Sequence, residues 1–490
     1  MSGVDLPPAR GAGLPALSRT APLAPEARPA VDPAQLRTRV VHFGLGAFHR
    51  AHQAVYTENA AALSGEPWGI TAVAPRSAAT VRALREQDFL YSLTERRPDG
   101  PRTRVVGSVV DALAMGPDAK ALSALLVDPE VTVVTLTVTE KGYQRLASTG
   151  GLDTAAVAAD LAADPDGPFS TAVGALAAGL AARTRAGGAP ITVVSCDNMA
   201  DNGAVLGRVV REFVDASHWP DRHRILDRIA ESVRFPATVV DRIVPATSEA
   251  DLVAAATALG VRDELAVTSE PYRQWVLEDS FAATRPPWEL DGALFVRDVT
   301  PYQLTKLRLL NGSHSALAYL GTAAGLTTIS ETMAASWGER LVRALCAEVA
   351  PTLPPGGPDP SAYADDLVVR FRNPAMRHLL RQIGSDGSLK ITERWLPALR
   401  ALRERGTSTP VLELALAAWV LSTRSTRHTD APTDPAADAL AACWDGTATP
   451  VETVRALLRV LGATDLADDD RLTAAITGRL PGLRAGRIEI

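Results

Sequence analysis

Near its N-terminus the chain reads Val40-Val-His-Phe-Gly44-Leu-Gly46-Ala-Phe-His49-Arg50, and a helical pattern follows from about residue 51 to 62. A β-branched run that leads into two glycines and a helix predicts a strand, a tight turn and a crossover helix. Glycines let a pyrophosphate approach the turn, and free N–H groups at a helix start stabilise its charge. His49 replaces the third glycine of the G-x-G-x-x-G pattern. The interpretation of this segment as a pyrophosphate-binding turn therefore rests on its position directly after the first strand.

Further β-branched runs alternate with helical segments over residues 37–299; they cover residues 69–73, 131–138 and 191–194. This alternation is typical of a parallel sheet with crossover helices, and it predicts an α/β, Rossmann-type N-terminal domain. From residue 300 to 490 helical periodicity dominates, which predicts a mostly α-helical C-terminal domain; the resemblance described below implies that this domain binds substrate. Residues 1–36 are rich in Pro and Ala and are interpreted as an N-terminal arm.

Composition excludes several classes of partner. A chain of 490 residues is longer than one hydrophobic core usually organises, so two domains are expected. The net charge of −6, without a basic stripe, argues against nucleic acid. The sequence has no targeting segment and no run of about 18 apolar residues, so no membrane partner is expected. Cys196, Cys346 and Cys443 lack C-x-x-C spacing, which favours a reducing compartment, and we expect the cytoplasm.

A second motif, Lys306-Leu-Arg-Leu-Leu-Asn311-Gly-Ser-His314, places a base, an amide and an imidazole on one helical segment. At about 100° per residue, Asn311 lies about 140° and His314 about 80° around the helix from Lys306. The three side chains could therefore meet one small molecule. The alternative is an amphipathic helix with leucines inward and charges outward.

The end of the second predicted strand reads Ala74-Pro75-Arg76-Ser77. NAD-specific folds usually have an acidic residue there for the adenosine ribose. Arg76 could instead meet a 2′-phosphate, or it could be a solvated loop residue, so both NAD and NADP stay open.

Six ordered motifs resemble the mannitol dehydrogenase family, the zinc-independent, polyol-specific long-chain dehydrogenases. The resemblance covers roughly residues 38–425. It implies a Rossmann-type domain, a helical domain and an active site in the cleft between them. The motifs are Phe43-Gly-Leu-Gly-Ala-Phe-His-Arg50, Thr137-Val-Thr-Glu-Lys-Gly-Tyr143, Ser195-Cys-Asp-Asn198 with Asn202-Gly203, Phe235-Pro236 with Val240-Asp-Arg242, the lysine motif above, and Asp386-Gly-Ser388 with Lys390.

The resemblance also implies a role for each matching residue. Lys306 would be the general base, which requires a neutral amine. Asn198 and Asn311 would donate to the reacting oxygen. His314 and Asp241 would hold substrate hydroxyls. The expected cofactor is NAD, with NADP as the alternative, and no metal; the cofactor-binding residues would be Phe43, Gly44, Leu45, Gly46, Ala47, Arg76, Thr137 and Thr139.

Each of these roles has a structural alternative. Asn198 could be a turn residue after a strand, Asp241 could pair with Arg242, and Lys390 could be a solvated loop charge. The sequence also departs from the family, since Gln303 stands where many members have a glutamate that is thought to pass protons to solvent.

A second departure concerns the substrate. Gln382 stands where mannitol 2-dehydrogenases tend to have arginine, and the local pattern looks more like the fructuronate reductases. Arg377, His378 and Arg381 would then suit a substrate carboxylate or phosphate, and Lys390 would also bind the substrate. D-Mannonate and D-fructuronate are the first expectation. The alternatives are a mannitol 2-dehydrogenase, a mannitol-1-phosphate 5-dehydrogenase, or a non-catalytic dinucleotide-binding protein. Either a monomer or a homodimer is expected.

Overall fold

The computed structural model describes residues 13–146, 148–165, 167–424, 433–445 and 449–490. The chain divides into two compact units, Met1–Val299 and Thr300–Ile490. The first unit contains β1 (Arg37–Phe43), β2 (Trp68–Ala74), β3 (Tyr91–Arg97), β4 (Gly100–Val106), β5 (Val109–Ala114), β6 (Val133–Leu136), β7 (Ile191–Ser195), β8 (Val233–Arg234), β9 (Thr238–Asp241), β10 (Val267–Ser269), β11 (Gln274–Glu278) and β12 (Leu294–Val296).

The main sheet of the first unit has six parallel strands in the order β5-β2-β1-β6-β7-β8. In register, Phe43 of β1 lies beside Val73 of β2 and Leu136 of β6. All four strands predicted from the sequence belong to this sheet, which confirms the Rossmann-type α/β fold. The predicted run at residues 131–138 is shorter in the structure, where β6 begins at Val133 and ends at Leu136. Two small sheets, β10-β3-β4 and β12-β11-β9, complete the unit.

Alternate side chains of the strands fill two cores on opposite faces of the sheet, as period-two alternation requires. Val41 and Phe43 belong to one apolar cluster, and Val40 belongs to the other. The helices of this unit are α1 (Ala47–Ala51), α2 (Gln53–Ser64), α3 (Ala78–Glu86), α4 (Ala119–Val127), α5 (Ala158–Leu161), α6 (Ala172–Arg185), α7 (Asn202–Ala216), α8 (Arg222–Ser232) and α9 (Glu249–Leu259).

The helix after the glycine turn begins earlier than its sequence pattern indicates. It starts at Ala47 and is interrupted at His52, whose φ of −125° and ψ of −86° are not helical. Two short helices, α1 and α2, therefore replace the single predicted one.

Residues 1–12 of the predicted N-terminal arm lie outside the described residues. Its remainder packs on the first unit, where the Leu17 N–H donates to the Arg262 carbonyl at 2.8 Å. Leu17 and Leu23 are buried in a small apolar cluster that includes Leu90 and Leu259.

The second unit is helical, and its strongest elements match the predicted periodicity. One apolar core joins its helices, with Trp395, Leu416 and Trp419 among the buried side chains. Its helices are α10 (Thr300–Thr305), α11 (Gly312–Ala323), α12 (Ile329–Ala334), α13 (Gly338–Val349), α14 (Pro360–Arg372), α15 (Leu380–Gly384), α16 (Gly387–Arg394), α17 (Leu396–Glu404), α18 (Pro410–Thr423), α19 (Ala437–Ala442), α20 (Pro450–Val460), α21 (Thr464–Ala467) and α22 (Asp470–Arg484).

Between α10 and α11 the backbone forms a π-helix over Lys306–Asn311. We call this segment the π-turn. At its end the Gly312 N–H reaches the Leu307 carbonyl, five residues earlier. Such segments interrupt α-helices rarely and are frequent at functional sites. Among the described residues, no helix is long and apolar enough to span a membrane.

Candidate active site

The glycine turn after β1 uses its two glycines differently. Gly44 has a φ of 111°, and a Cβ atom at this position would lie 2.1 Å from the Thr137 carbonyl oxygen. A Cβ atom on Gly46 would meet nothing within 4 Å, and that residue is exposed. Packing therefore requires the first glycine, whereas the second leaves open space over the backbone, as a pyrophosphate-binding turn needs.

His42 supports this turn from within the protein. Its Nε2 atom lies 2.9 Å from both the Gly44 carbonyl oxygen and Thr137 Oγ1, and its Nδ1 atom lies 2.7 Å from Thr135 Oγ1. Because a carbonyl oxygen only accepts, Nε2 carries the proton and Nδ1 accepts from the Thr135 hydroxyl. Burial lowers the pKa of His42 to about 3, so the ring is neutral at pH 7.

His49, at the position of the missing third glycine, stacks on the His42 ring with centroids 3.4 Å apart. The stacked ring fills the space between α1 and β1 that a glycine would leave for close packing. Both histidines are fully buried, and burial also lowers the pKa of His49 well below its ordinary value. They thus have a supporting role in this unit.

The segment after β6 is fixed by a buried carboxylate. Asp197 accepts hydrogen bonds from the backbone N–H groups of Val138 at 3.0 Å and Thr139 at 2.8 Å, and from the Tyr143 hydroxyl at 2.8 Å. Thr139 has a φ of 69°, which is uncommon for a residue other than glycine. Burial raises the pKa of Asp197, while these three donors act in the opposite direction.

A cavity of about 420 Å³ lies against the glycine turn. Its walls come from residues 44–46, the segment after β2, residues 137–144 and the start of α6. Arg76 and Lys141 contribute two cations, and no carboxylate belongs to the described lining. An open glycine backbone beside two cations fits the pyrophosphate of a dinucleotide.

Six of the residues predicted to bind the cofactor line this cavity, and two do not. The six are Gly44, Leu45, Gly46, Arg76, Thr137 and Thr139. The Phe43 side chain is instead fully buried in the core, and Ala47 is the first residue of α1. Lys141 was not among the predicted residues, although it belongs to the Thr137–Tyr143 motif.

Asn198 and Asp241 lie at the carboxyl ends of β7 and β9 in this unit. Asn198 is exposed, and Asp241 is buried. The adjacent Arg242 forms its ion pair with Glu95 at 2.8 Å and also donates to the Glu270 carbonyl. Arg242 therefore has a carboxylate partner other than Asp241.

In the second unit the π-turn sets the spacing of the predicted catalytic residues. Lys306 is the first residue of the segment and Asn311 is the last, so the two residues are five positions apart, which is about one turn of a π-helix. The predicted rotation of about 140° between them assumed an α-helix, with 3.6 residues per turn, and is therefore wrong. Lys306 is buried, with 9% of its surface exposed. Arg308 points elsewhere and donates to the Thr352 carbonyl at 2.6 Å.

His314 lies in the first turn of α11 among basic groups. Its ring stacks on Phe371 with centroids 5.1 Å apart and lies 5.5 Å from the His378 ring. Burial lowers the pKa of His314 well below its ordinary value, and the charges of His378, Arg394, Arg370 and Lys390 act in the same direction. The imidazole is therefore neutral at pH 7, and its Nε2 atom is buried without a hydrogen-bond partner among the described residues.

The end of α16 holds the π-turn in place. Arg394 donates through Nη1 to the Asn311 carbonyl at 3.3 Å and to Ser315 Oγ at 2.7 Å. The Trp395 indole donates to the Gly312 carbonyl at 3.1 Å. Lys390 lies one turn before Arg394, and its Nζ atom donates to the Ile383 carbonyl at 3.1 Å. In the described part of the chain, no group of three His, Cys, Asp or Glu side chains is placed to hold a metal ion.

Two family models account for most of the sequence. The mannitol dehydrogenase Rossmann domain matches residues 38–290, and the mannitol dehydrogenase C-terminal domain matches residues 298–483. The chain belongs to the mannitol dehydrogenase family. The match confirms the resemblance and extends it beyond residue 425. Members of this family are oxidoreductases that act on hydroxyl groups, and this protein is such an enzyme.

Relatives within the mannitol dehydrogenase family include two proteins of Escherichia coli strain K12. The uncharacterized oxidoreductase YeiQ is 42% identical over 80% of this chain and 80% of its own length. The D-mannonate oxidoreductase is 40% identical over 82% of this chain and 83% of its own length. The solved ternary complex of Pseudomonas fluorescens mannitol 2-dehydrogenase with NAD and D-mannitol is 36% identical, with a TM-score of 0.76 over 94% of this chain and 95% of that one.

The predicted substrate-binding cations of this mannitol dehydrogenase family member separate into two groups. The His378 ring lies 5.5 Å from the His314 ring, and the charge of Lys390 lowers the pKa of His314. Arg377 and Arg381 are exposed. Arg370 and Arg394 also lower the pKa of His314, and the sequence reasoning named neither. The four-residue spacing of Lys390 and Arg394 on a helical pattern was the signal that could have indicated Arg394.

Proposed function

We propose that this enzyme interconverts a sugar acid or sugar alcohol and its 2-keto form with a nicotinamide dinucleotide, and that D-mannonate and D-fructuronate are its substrates. The observation that carries the proposal is the π-turn, which sets the buried Lys306 and the amide of Asn311 one turn apart beside a neutral His314. The 40% identity to D-mannonate oxidoreductase over most of both chains supports the choice of substrate.

The residues divide the chemistry between them. Lys306 takes the proton of the substrate hydroxyl during oxidation and returns it during reduction. The side-chain amides of Asn311 and Asn198 donate to the same oxygen as negative charge develops on it. His314 and Asp241 hold neighbouring hydroxyl groups, and His378 and Lys390 add positive charge. A bound nicotinamide dinucleotide supplies or accepts the hydride.

The cavity beside the glycine turn supports NAD as the first choice of cofactor and NADP as the alternative. Gly44, Leu45 and Gly46 would hold the pyrophosphate, with Thr137 and Thr139 opposite them. Arg76 and Ser77 lie after β2, where the adenosine ribose binds in this fold. The exposed Arg76 guanidinium can stack on the adenine of either cofactor or pair with a 2′-phosphate.

Mannitol 2-dehydrogenase activity is the second candidate. It is favoured by the structural match to the Pseudomonas fluorescens enzyme in complex with NAD and D-mannitol, with a TM-score of 0.76. Mannitol-1-phosphate 5-dehydrogenase activity is the third.

Initial rates test the proposal directly. Fructuronate, tagaturonate, fructose and fructose 6-phosphate are each reduced with NADH and with NADPH. The proposal requires fructuronate to have the highest kcat/KM. Preference for fructose would support the second candidate, and turnover of none of the four would refute the proposal.

A further inference from the structure

Arg394 is a half-buried cation that lacks an ion-pair partner among the described residues. Its Nη1 atom makes both of its hydrogen bonds, to Asn311 and Ser315. Glu393 acts on it electrostatically but is exposed and forms no ion pair with it. The Nε and Nη2 atoms therefore have no partner within the described part of the chain, although a guanidinium presents five donors.

Lys390, one turn earlier on α16, is a second partly buried cation without an ion-pair partner among the described residues. Side chains four residues apart lie on the same helix face, so the two cations are neighbours. Each lowers the pKa of His314, and burial together with Arg394 lowers the pKa of Lys390. Lys390 also forms no ion pair with a described carboxylate; its Nζ atom donates to a backbone carbonyl.

Two partly buried cations side by side are costly unless an anion compensates them. The contrast with other arginines of this unit is clear. Arg403 pairs with Asp469, and Arg343 pairs with both Glu339 and Asp365. Among the described residues Arg394 and Lys390 have no such ion pair, and Asp386 and Asp434 act on Lys390 without forming one.

We propose that Arg394, assisted by Lys390, binds the carboxylate of the substrate and determines the preference for a sugar acid over the neutral sugar. This inference rests on the proposed function, and it assigns the acid specificity to α16 in place of Arg377 and Arg381. The planar guanidinium suits a carboxylate because Nε and Nη2 can donate to its two oxygens in parallel. Nη1 meanwhile keeps its bonds to the π-turn, so the carboxylate and the catalytic turn share one rigid anchor.

The test compares kcat/KM for fructuronate and for fructose, with NADH, in the wild type and in Arg394→Gln. Loss of a charge-assisted bond predicts a drop of about 10- to 100-fold for fructuronate and a much smaller change for fructose. Arg394→Lys keeps the charge without the paired donors and should give an intermediate preference. The Arg394→Lys variant also provides a measurement of the preference if Arg394→Gln does not fold.

Arg340→Gln is the matched control, because Arg340 is exposed on α13 of the same unit. It should leave the ratio of the two kcat/KM values unchanged. The affinity for D-mannonate and for D-mannitol, measured by calorimetry with saturating NAD, gives a second readout. Wild type should bind mannonate about tenfold or more tightly than mannitol, and Arg394→Gln should remove the difference.

An equal loss for fructuronate and fructose would show that Arg394 only supports the π-turn, and it would overturn the inference. So would an unchanged ratio in both Arg394 variants, or a wild type that prefers fructose. Absence of turnover with every sugar and every uronate would instead refute the proposed function, together with this inference.

Discussion

The Asp197 carboxylate accepts the backbone N–H of Thr139 at 2.8 Å and so holds one wall of the proposed dinucleotide cavity. The N–H groups of Val138 and Thr139 bond to different oxygens of Asp197, so replacing Asp197 with Asn turns one of these two acceptors into a donor. We expect NADH to bind about tenfold more weakly, since hydrogen bonds to a charged group contribute about 1.5–3 kcal/mol. Fluorescence titration of NADH measures this. Asp201→Asn, at an exposed position with a φ of 50°, is the control; equal affinities in the two variants would remove Asp197 from this role.

Substitution of the two glycines of the turn should have different effects, one on the stability of the fold and the other on cofactor binding. Gly44→Ala should lower the free energy of unfolding by at least about 1 kcal/mol, because its φ is positive and the new Cβ meets the Thr137 carbonyl. Gly46→Ala should keep the thermal stability of wild type but weaken NADH, because its methyl group enters the open space over the backbone. Thermal unfolding and NADH titration of both variants give the comparison. Similar behaviour of the two variants would contradict this division of roles.

Replacing Lys306 with Ala should lower kcat by about 10²- to 10⁴-fold, the usual range for loss of a general base. NADH affinity should stay near that of wild type, because the proposed dinucleotide site lies in the first unit. Lys120→Ala, at an exposed position, is the control for loss of a lysine. A Lys306→Ala enzyme with most of its activity would exclude Lys306 as the base.

Stability should fall when the pH drops below about 6.5. Burial lowers the pKa of His42 and of His52 to about 3 in the folded protein, against an ordinary value of 6.5. Between these values the unfolded chain binds protons that the folded protein excludes, so the stabilisation is complete above about 6.5 and is lost progressively as the pH falls toward about 3. Urea unfolding at pH 7.5 and at pH 5 measures the difference. The free energy of unfolding of His42→Gln should depend less on pH than that of wild type. An equal pH dependence in the two proteins would argue against a buried, neutral His42.

Dialysis against a strong chelator should leave the activity unchanged, because the proposed chemistry uses Lys306 and two amides to handle the reacting oxygen. Activity that disappears on dialysis and returns with zinc would contradict this mechanism.

The sheet could be predicted because its signal is local. Residues 40–43 and 191–194 are β-branched runs, and both form central strands. The length of β6 was overestimated, since Thr137 and Val138 have strand-like side chains but are drawn into a loop by Asp197, which is distant in sequence. The break between α16 and α17 at Trp395 also has a local cause, because Pro397 cannot donate a backbone hydrogen bond and stands in the first turn of the new helix.

The chemistry of the site could be predicted only in part. The residue types of the Lys306 motif indicated the site, but its geometry depends on a π-helix that periodicity does not reveal. Arg377, Arg381 and Arg394 look alike as sequence, and only their packing distinguishes the exposed arginines from the one that contacts Asn311.

The π-turn makes the relative orientation of base and amide depend on how the backbone between them is wound. Leu309 and Leu310 anchor the segment in the core, so its ends cannot slide along the helix axis. If these six residues were wound as a regular α-helix instead, Asn311 would lie about 140° around the helix axis from Lys306. A substitution that converts the π-turn to a regular α-helix without changing its length would therefore separate the base from the amide, although neither residue is itself altered.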